Sequence, residues 1–245
     1  MRKFGLMVGF AASALLAPSA RAFWFGSQGS ALSNGRSEIQ ATYDTGSRSI
    51  EPKGGGTSFD MDTDRFYLQY ARGFGDGLNL FGRVMPQTGD ASFENWGGFN
   101  PSIWGLGAGL HWAPPQTGRV RWGGQVNLDM NQGKDQGTTL KVMEMAMAFG
   151  PSYRPNRNFD VYGGASFMKS DVTFENGSYN QKFELSDNFG LFAGVGVNPT
   201  PALTLAFEIH LINETIFGFT AAYRFGGESS EAPHRSSHSH RHSHK

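Results

Sequence analysis

The feature that most constrains this chain is a period-two alternation of apolar and polar side chains, carried from about residue 35 to residue 225. Val120, Trp122, Gly124, Val126, Leu128 and Met130 interleave with Arg119, Arg121, Gly123, Gln125, Asn127 and Asp129. Successive side chains of a strand point to opposite faces, so such a segment has one greasy and one polar surface. Leu203, Leu205, Phe207, Ile209 and Leu211 repeat the pattern, as do Phe189, Leu191, Ala193, Val195 and Val197. Trp104, Leu106, Ala108, Leu110 and Trp112 are separated by Gly105, Gly107, Gly109 and His111.

Ten runs of this kind are found, at about 35–44, 61–71, 77–85, 102–112, 119–130, 138–149, 159–171, 186–197, 203–213 and 215–225. Their lengths cluster near the 9–11 residues that a tilted strand needs to cross a bilayer. Turns rich in Gly, Pro and Asn at 72–77, 113–118, 151–158 and 198–202 alternate with longer polar loops at 45–60, 86–101 and 172–185 and a shorter one at 131–137. Short turns at one end and long loops at the other are the asymmetry of an outer-membrane barrel. A soluble β-sandwich also alternates, and the aromatics decide between the two. Tyr70, Trp112, Trp122, Phe149, Phe159, Tyr223 and Phe225 fall at strand ends beside the short turns, and Tyr43, Trp104, Phe167, Phe189 and Phe217 at the opposite ends. Two aromatic rings flanking an aliphatic band are what two membrane–water interfaces select. The fold expected is all-β, a closed antiparallel up-and-down transmembrane β-barrel of ten strands. Eight is the alternative, because only Asn213-Glu214 separates the last two runs and lacks the Asn-Gly chemistry of a two-residue hairpin.

Composition excludes other classes. The chain has no Cys, which removes disulfide frameworks, zinc fingers, iron–sulfur clusters and thiol nucleophiles. Its 21 basic and 21 acidic residues balance, which argues against a nucleic-acid partner. Its 34 glycines follow no collagen period, and a 13% aromatic content does not suit a disordered chain.

The ends read differently from the middle. Met1-Arg2-Lys3, the apolar stretch Phe4 to Ala17 and Ala20-Arg21-Ala22 have the layout of a secretory signal peptide, 1–22, expected to be cleaved on export. Residues 23–34 form an N-terminal periplasmic segment that opens Phe-Trp-Phe, 35–225 the barrel, and 226–245 a disordered His-rich periplasmic tail. Within that tail His234, His238, His240, His242 and His244 are spaced to chelate Zn²⁺, Ni²⁺ or Cu²⁺. No other cofactor is expected.

The last run, Thr215-Ile-Phe-Gly-Phe-Thr-Ala-Ala-Tyr-Arg-Phe225, resembles the C-terminal strand of bacterial outer-membrane β-barrels, and over 35–225 the chain is similar in architecture to the small barrels grouped around OmpA, OmpX, OmpW and the opacity proteins. It departs from them in having ten runs where eight are usual, and in the twenty residues after Phe225. The resemblance implies residence in the bacterial cell outer membrane. It also implies contact with outer-membrane lipids and lipopolysaccharide, and recognition of the last strand by the barrel-assembly machinery.

Several clusters are candidate sites. Arg83, Arg119, Arg121, Asp129, Glu144, Glu208 and His210 fall on the polar register and are expected to line the lumen, with Glu38, Gln40, Thr42, Asn79, Gln125, Asn127, Asp160 and Arg224. Barrels of about eight strands are filled by side chains, so a salt-bridged plug is favoured over a thin pore. Asp60, Asp62 and Asp64 share one strand face at the loop end, a possible seat for Ca²⁺ or Mg²⁺. Arg65 stands where an EF-hand requires Gly, so a solvated acidic rim bridged by divalent ions to lipopolysaccharide is expected. Glu208 and His210, with Ser166 or Ser102, supply residue types for acyl transfer, but no G-x-S-x-G occurs. Gly105-x-Gly-x-Gly109 and Gly164 to Ser170 lack the context of a nucleotide loop. The loop aromatics Phe93, Trp96, Phe99, Phe174, Tyr179 and Phe183 are expected to dock a surface partner. The reading reached is a non-enzymatic barrel with a structural, envelope-stabilising or surface-interaction role. The alternatives are a narrow, porin-like pore for small solutes or ions and, second, an outer-membrane lipid hydrolase or protease.

Overall fold

The computed structural model describes residues 25–227 apart from 94–98, 100, 178 and 213. Residues 1–22, expected as a signal peptide, and the tail histidines His234, His238, His240, His242 and His244 lie outside the described residues, as does Trp96. Eleven antiparallel strands are described: β1 (Arg36–Pro52), β2 (Phe59–Phe74), β3 (Leu78–Phe93), β4 (Ser102–Trp112), β5 (Val120–Asp135), β6 (Thr138–Asn156), β7 (Phe159–Asn176), β8 (Tyr179–Leu185), β9 (Phe189–Val197), β10 (Leu203–Leu211) and β11 (Glu214–Gly226). Each pairs with the next in the chain except β8 and β9, which both pair with β7, and β11 pairs back to β1 with Gly226 opposite Arg36, so the sheet closes on itself.

β8 and β9 run in the same direction along β7, Glu184 opposite Asp171 and Phe189 opposite Phe167. They are two halves of one barrel strand interrupted at 186–188. At the turn end β9 pairs with β10, and ten strands complete the ring. Beyond the short β10–β11 hairpin, β8 pairs directly with β1, Leu185 opposite Ile50, and only eight strands remain. Ten is therefore the strand number across the barrel, and eight applies only to its loop end.

The strands outrun the runs expected from alternation. β1 continues through 45–52, β3 through 86–93, and most of 172–185 is the β7–β8 hairpin rather than loop. β5 and β6 meet in the two-residue turn Gln136-Gly137, both residues left-handed (φ 47° and 79°), as a hairpin with the native twist requires.

Every aromatic assigned to the two interfacial rings is exposed on the outer wall, from Tyr70, Trp112 and Phe149 at the turn end to Tyr43, Trp104 and Phe189 at the loop end. Between them lie Leu80, Leu106, Leu110, Val126, Leu128, Leu191 and Val195, also outward. Through this band the inner wall carries the buried polar side chains, interspersed with apolar ones such as Phe81, Met168 and Phe192. At the loop end the inside turns apolar: Ile50, Met61, Met85, Ile103, Leu140, Val142, Val172, Phe174, Phe183 and Leu185 form one buried cluster against which Phe59 and Phe99 pack. Phe183 meets Phe174 and Phe59 edge-on, centroids 5.3 and 5.1 Å apart. Phe174 and Phe183, expected on the surface, are thus 1% exposed and close the lumen instead. The cause is register: both sit on the inward parity of strands read as loop.

Candidate functional site

Beneath the apolar layer the lumen holds a continuous chain of buried ionic side chains. On β1 and β2, Arg65 donates to Asp44 (Nε–Oδ1 3.1 Å), and Tyr67 donates its hydroxyl proton to the same carboxylate. Arg65 also reaches Glu144 of β6 (3.3 Å), which accepts from Arg48 of β1 as well. Arg48 lies 3.4 Å from Glu214 of β11, and Glu214 faces Nδ1 of His210 at 3.2 Å. The other ring nitrogen of His210 lies 2.7 Å from Glu208 on β10. The side chains of Arg48, Glu144, Glu208 and His210 have no solvent exposure. A second pair, Arg83 of β3 with Asp129 of β5, adjoins the first through Tyr67, whose ring lies 5.3 Å from the Arg83 guanidinium and 5.7 Å from that of Arg65. Inward glycines make the room: a Cβ on Gly107 would lie 1.7 Å from Oδ1 of Asp129. In so dry a place each charge needs a partner, and the network supplies one to each carboxylate and guanidinium.

The turn end is filled by the chain itself. Residues 25–34, the described part of the segment expected to lie in the periplasm outside the barrel, enter the lumen. The amides of Phe25 and Gly26 donate to the two oxygens of Glu208, each at 2.9 Å. The ring of Phe25 stacks on His210 (centroids 5.0 Å, 17°) and packs on Phe192. Farther down, His111 donates to the carbonyl of Gln28 (2.8 Å), Ser152 accepts from the amide of Gly29 (2.9 Å), and Asn79 accepts from that of Leu32 (3.0 Å). Arg154 donates to Ser30 (2.9 Å). A side chain on Gly123 would strike the Gln28 carbonyl at 1.8 Å, so the wall is cut to the backbone of this segment. What stays open is a cavity of about 100 Å³ between the segment and Glu38, Gln40, Thr220 and Arg224, room for a handful of waters.

Of the residues expected in the lumen, Arg83, Asp129, Glu144, Glu208 and His210 are buried there, and Arg121 is half-buried beside Gly29. Arg119 is a correction. It is exposed in the β4–β5 turn, one residue before β5 begins. Asp44, Arg48 and Arg65 belong to the network and were not expected; Asp44 closes the run that carries Glu38, Gln40 and Thr42, and Arg48 continues its even register into residues read as loop.

Asp60, Asp62 and Asp64 face outward at the loop-end start of β2, opposite the inward Met61. Asp64 accepts from Thr45 (2.6 Å) and from Tyr43 (3.3 Å). Among the described residues no three His, Asp or Glu side chains converge as a cation shell. Nearby, Lys53 donates to Asp171 (3.0 Å), and that hydrogen bond holds its ammonium above the usual lysine range. His210 has carboxylates at both nitrogens and Phe25 on its face. Ser166 lies in β7 opposite Gly190 and Ser102 is exposed at the top of β4, and neither is hydrogen-bonded to His210.

The sequence matches the outer membrane protein beta-barrel domain family over residues 87–225. Comparison with curated protein sequences gave no match. Among solved structures, the chain is similar to an outer membrane channel from Pseudomonas putida F1, at 10% identity and a TM-score of 0.50, covering 83% of this chain and 100% of that one. It is also similar to OprG from Pseudomonas aeruginosa (13% identity, TM-score 0.42, 82% and 100% covered) and to Ail from Yersinia pestis (13%, 0.32, 78% and 99%). At these identities the likeness concerns the fold.

Proposed function

The chain belongs to the outer membrane β-barrel domain family, and from that premise we propose that it is a closed, non-conducting and non-enzymatic barrel that stabilises the envelope and presents a rigid stalk at the cell surface. The observation that carries this reading is the filling of the lumen along its whole length: an apolar layer at the loop end, an ionic layer at mid-height, and residues 25–34 at the turn end. The ionic layer and the segment are joined through Glu208, whereas the apolar layer at the loop end carries no titratable group, so a change of pH or salt leaves that layer in place.

In this reading residues 1–22 are removed on export, the short turns and both chain ends lie in the periplasm, and the loop end projects through the lipopolysaccharide. The acidic rim of Asp60, Asp62 and Asp64 meets lipopolysaccharide phosphates through divalent cations, and the last strand is what the barrel-assembly machinery engages. The tail histidines chelate Zn²⁺, Ni²⁺ or Cu²⁺ where these are supplied.

The test is conductance of the refolded chain in a planar bilayer, its fold checked by heat-dependent gel mobility. A silent bilayer is the expected result. Discrete, reproducible current steps from correctly folded protein would sink the reading in favour of a narrow pore.

A further inference from the structure

The basic residues of the described chain are sorted by place. Lys53, Lys134, Lys141, Lys169 and Lys182 all lie at the loop end. Arg48, Arg65 and Arg83 are buried in the lumen. The other seven arginines all lie at the turn end, where no described lysine occurs. There Arg154 is paired with Asp160 and Arg224 with Glu38. Arg72, Arg119 and Arg157 are exposed and form no ion pair among the described residues.

Their positions fix a height. Arg72 stands on the outer wall between Tyr70 and Phe74. Arg119 immediately precedes Val120 and Trp122 of β5, and Arg157 lies two residues before Phe159 of β7. The turns bearing Arg119 and Arg157 are neighbours, because the amide of Arg154 donates to the carbonyl of Arg119 (2.8 Å). Two residues separate Arg72 from Tyr70, three separate Arg119 from Trp122 and two separate Arg157 from Phe159, so at roughly 3.3 Å each all three lie within about 10 Å of the aromatic ring, at the headgroup end of the wall. A guanidinium is weakly hydrated and its planar fork matches phosphate, while its aliphatic stem can lie along the aromatic belt. The loop end differs: Lys53 and Lys141 are paired with Asp171 and Glu175, and the outward face carries Asp60, Asp62 and Asp64.

We propose that Arg72, Arg119 and Arg157 form a rim that binds the phosphates of anionic phospholipid headgroups in the leaflet facing the turn end. The leaflet assigned rests on the orientation proposed above; the chemistry does not. A partner in the aqueous space, such as an anionic wall polymer, would be met by groups well beyond the ring, whereas Arg72 stands within it and Arg119 and Arg157 lie in the first residues past it.

The experiment refolds the chain in phosphatidylcholine bilayers with a trace of spin-labelled phosphatidylglycerol or spin-labelled phosphatidylcholine and compares the motionally restricted fractions. Boundary lipids favour phosphatidylglycerol by roughly two-fold, averaged over the perimeter. The preference falls to near equality in R72A/R119A/R157A and is partly kept in R72K/R119K/R157K, both checked for folding by gel mobility. No preference in the parent, an undiminished one in the alanine variant, or binding to purified peptidoglycan sacculi without lipid preference overturns the proposal. A pore in the conductance assay removes the closed-barrel reading and leaves this result standing.

Discussion

Glu208 joins the N-terminal segment to the ionic layer, and its removal has a consequence that can be worked from distances. Its carboxylate accepts two main-chain amides, from Phe25 and Gly26 at 2.9 Å each, and faces Nε2 of His210 at 2.7 Å. In Glu208→Ala the two amides lose their acceptors in a site with no solvent at Glu208 itself, at a cost of about 1–3 kcal/mol each. A loss of about 3 kcal/mol in the seating of residues 25–34 corresponds to a little over a hundredfold in the equilibrium. Hydrogen exchange reads that equilibrium directly, because Gly29 and Leu32 donate their amides to Ser152 and Asn79 and exchange only when the segment lifts. Exchange at Gly29 and Leu32 is therefore expected to quicken by about a hundredfold in Glu208→Ala. In Glu208→Gln, which keeps one acceptor oxygen, it quickens by much less. Unchanged exchange at both amides in a correctly folded Glu208→Ala barrel refutes the argument that Glu208 holds the segment.

Deleting residues 23–34 empties the turn end but leaves the apolar layer of Ile50, Met61, Leu140, Phe174 and Phe183, so the variant stays silent in a planar bilayer; current steps would show that this layer does not close the lumen. Gly107→Val drives a side chain into Asp129 and costs at least about 3 kcal/mol in unfolding midpoint measurements, by overpacking and by parting the Arg83 pair. Gly82→Ala, with nothing nearer than 3.9 Å, is the neutral control. Arg83→Met and Asp129→Leu each cost about 3–5 kcal/mol alone because each strands a buried charge, and the double variant costs far less than their sum. Strict additivity in that cycle would mean the two charges are not a pair.

The sequence made the membrane band legible because there the physics is periodic. Trp104, Leu106, Ala108, Leu110 and Trp112 must face lipid, and no other backbone puts them on one side. The alternation failed as a guide where its phase slipped. Leu185 and Gly190 both face inward although five residues apart, so the exposed Ser186, Asp187 and Asn188 hide the fact that β8 and β9 are one strand. Residues 25–34 were opaque for another reason. Phe-Gly-Ser-Gln-Gly-Ser has no period, and the wall holds it through Glu208, His111, Ser152 and Asn79 by its main chain, which every sequence shares. Gly73 and Gly123 on the wall marked the place, and an inward glycine in a curved strand has many causes.

The two halves of the barrel obey one rule with its sign reversed. On β1 the outward residues are Ile39, Ala41 and Tyr43 below and Thr45, Ser47 and Ser49 above, while the inward ones pass from Gln40, Thr42 and Asp44 to Ile50. On β6 and β7 the outward series changes at Met143 to Lys141 and at Phe167 to Lys169, and inward from Glu144 to Val142 and Leu140, and from Ser166 to Val172 and Phe174. On these three strands the parity is unbroken; only the polarity inverts. A wall that is apolar outside and polar inside matches lipid, and one that is polar outside with a dry core matches water. The outer membrane surface therefore crosses β1 near Tyr43, and the strand above it, nine residues to Pro52 at roughly 3.3 Å each and tilted, rises roughly 20 Å beyond. That upper part is an eight-stranded barrel with a core of its own, standing on a ten-stranded one without a linker. A pore would need the polar interior to continue through it. The inversion that makes the upper part stable in water is the same feature that fills the lumen with apolar side chains, and this is why the closed-barrel proposal expects the wall to hold a surface at a fixed height above the membrane and carry no current along its axis.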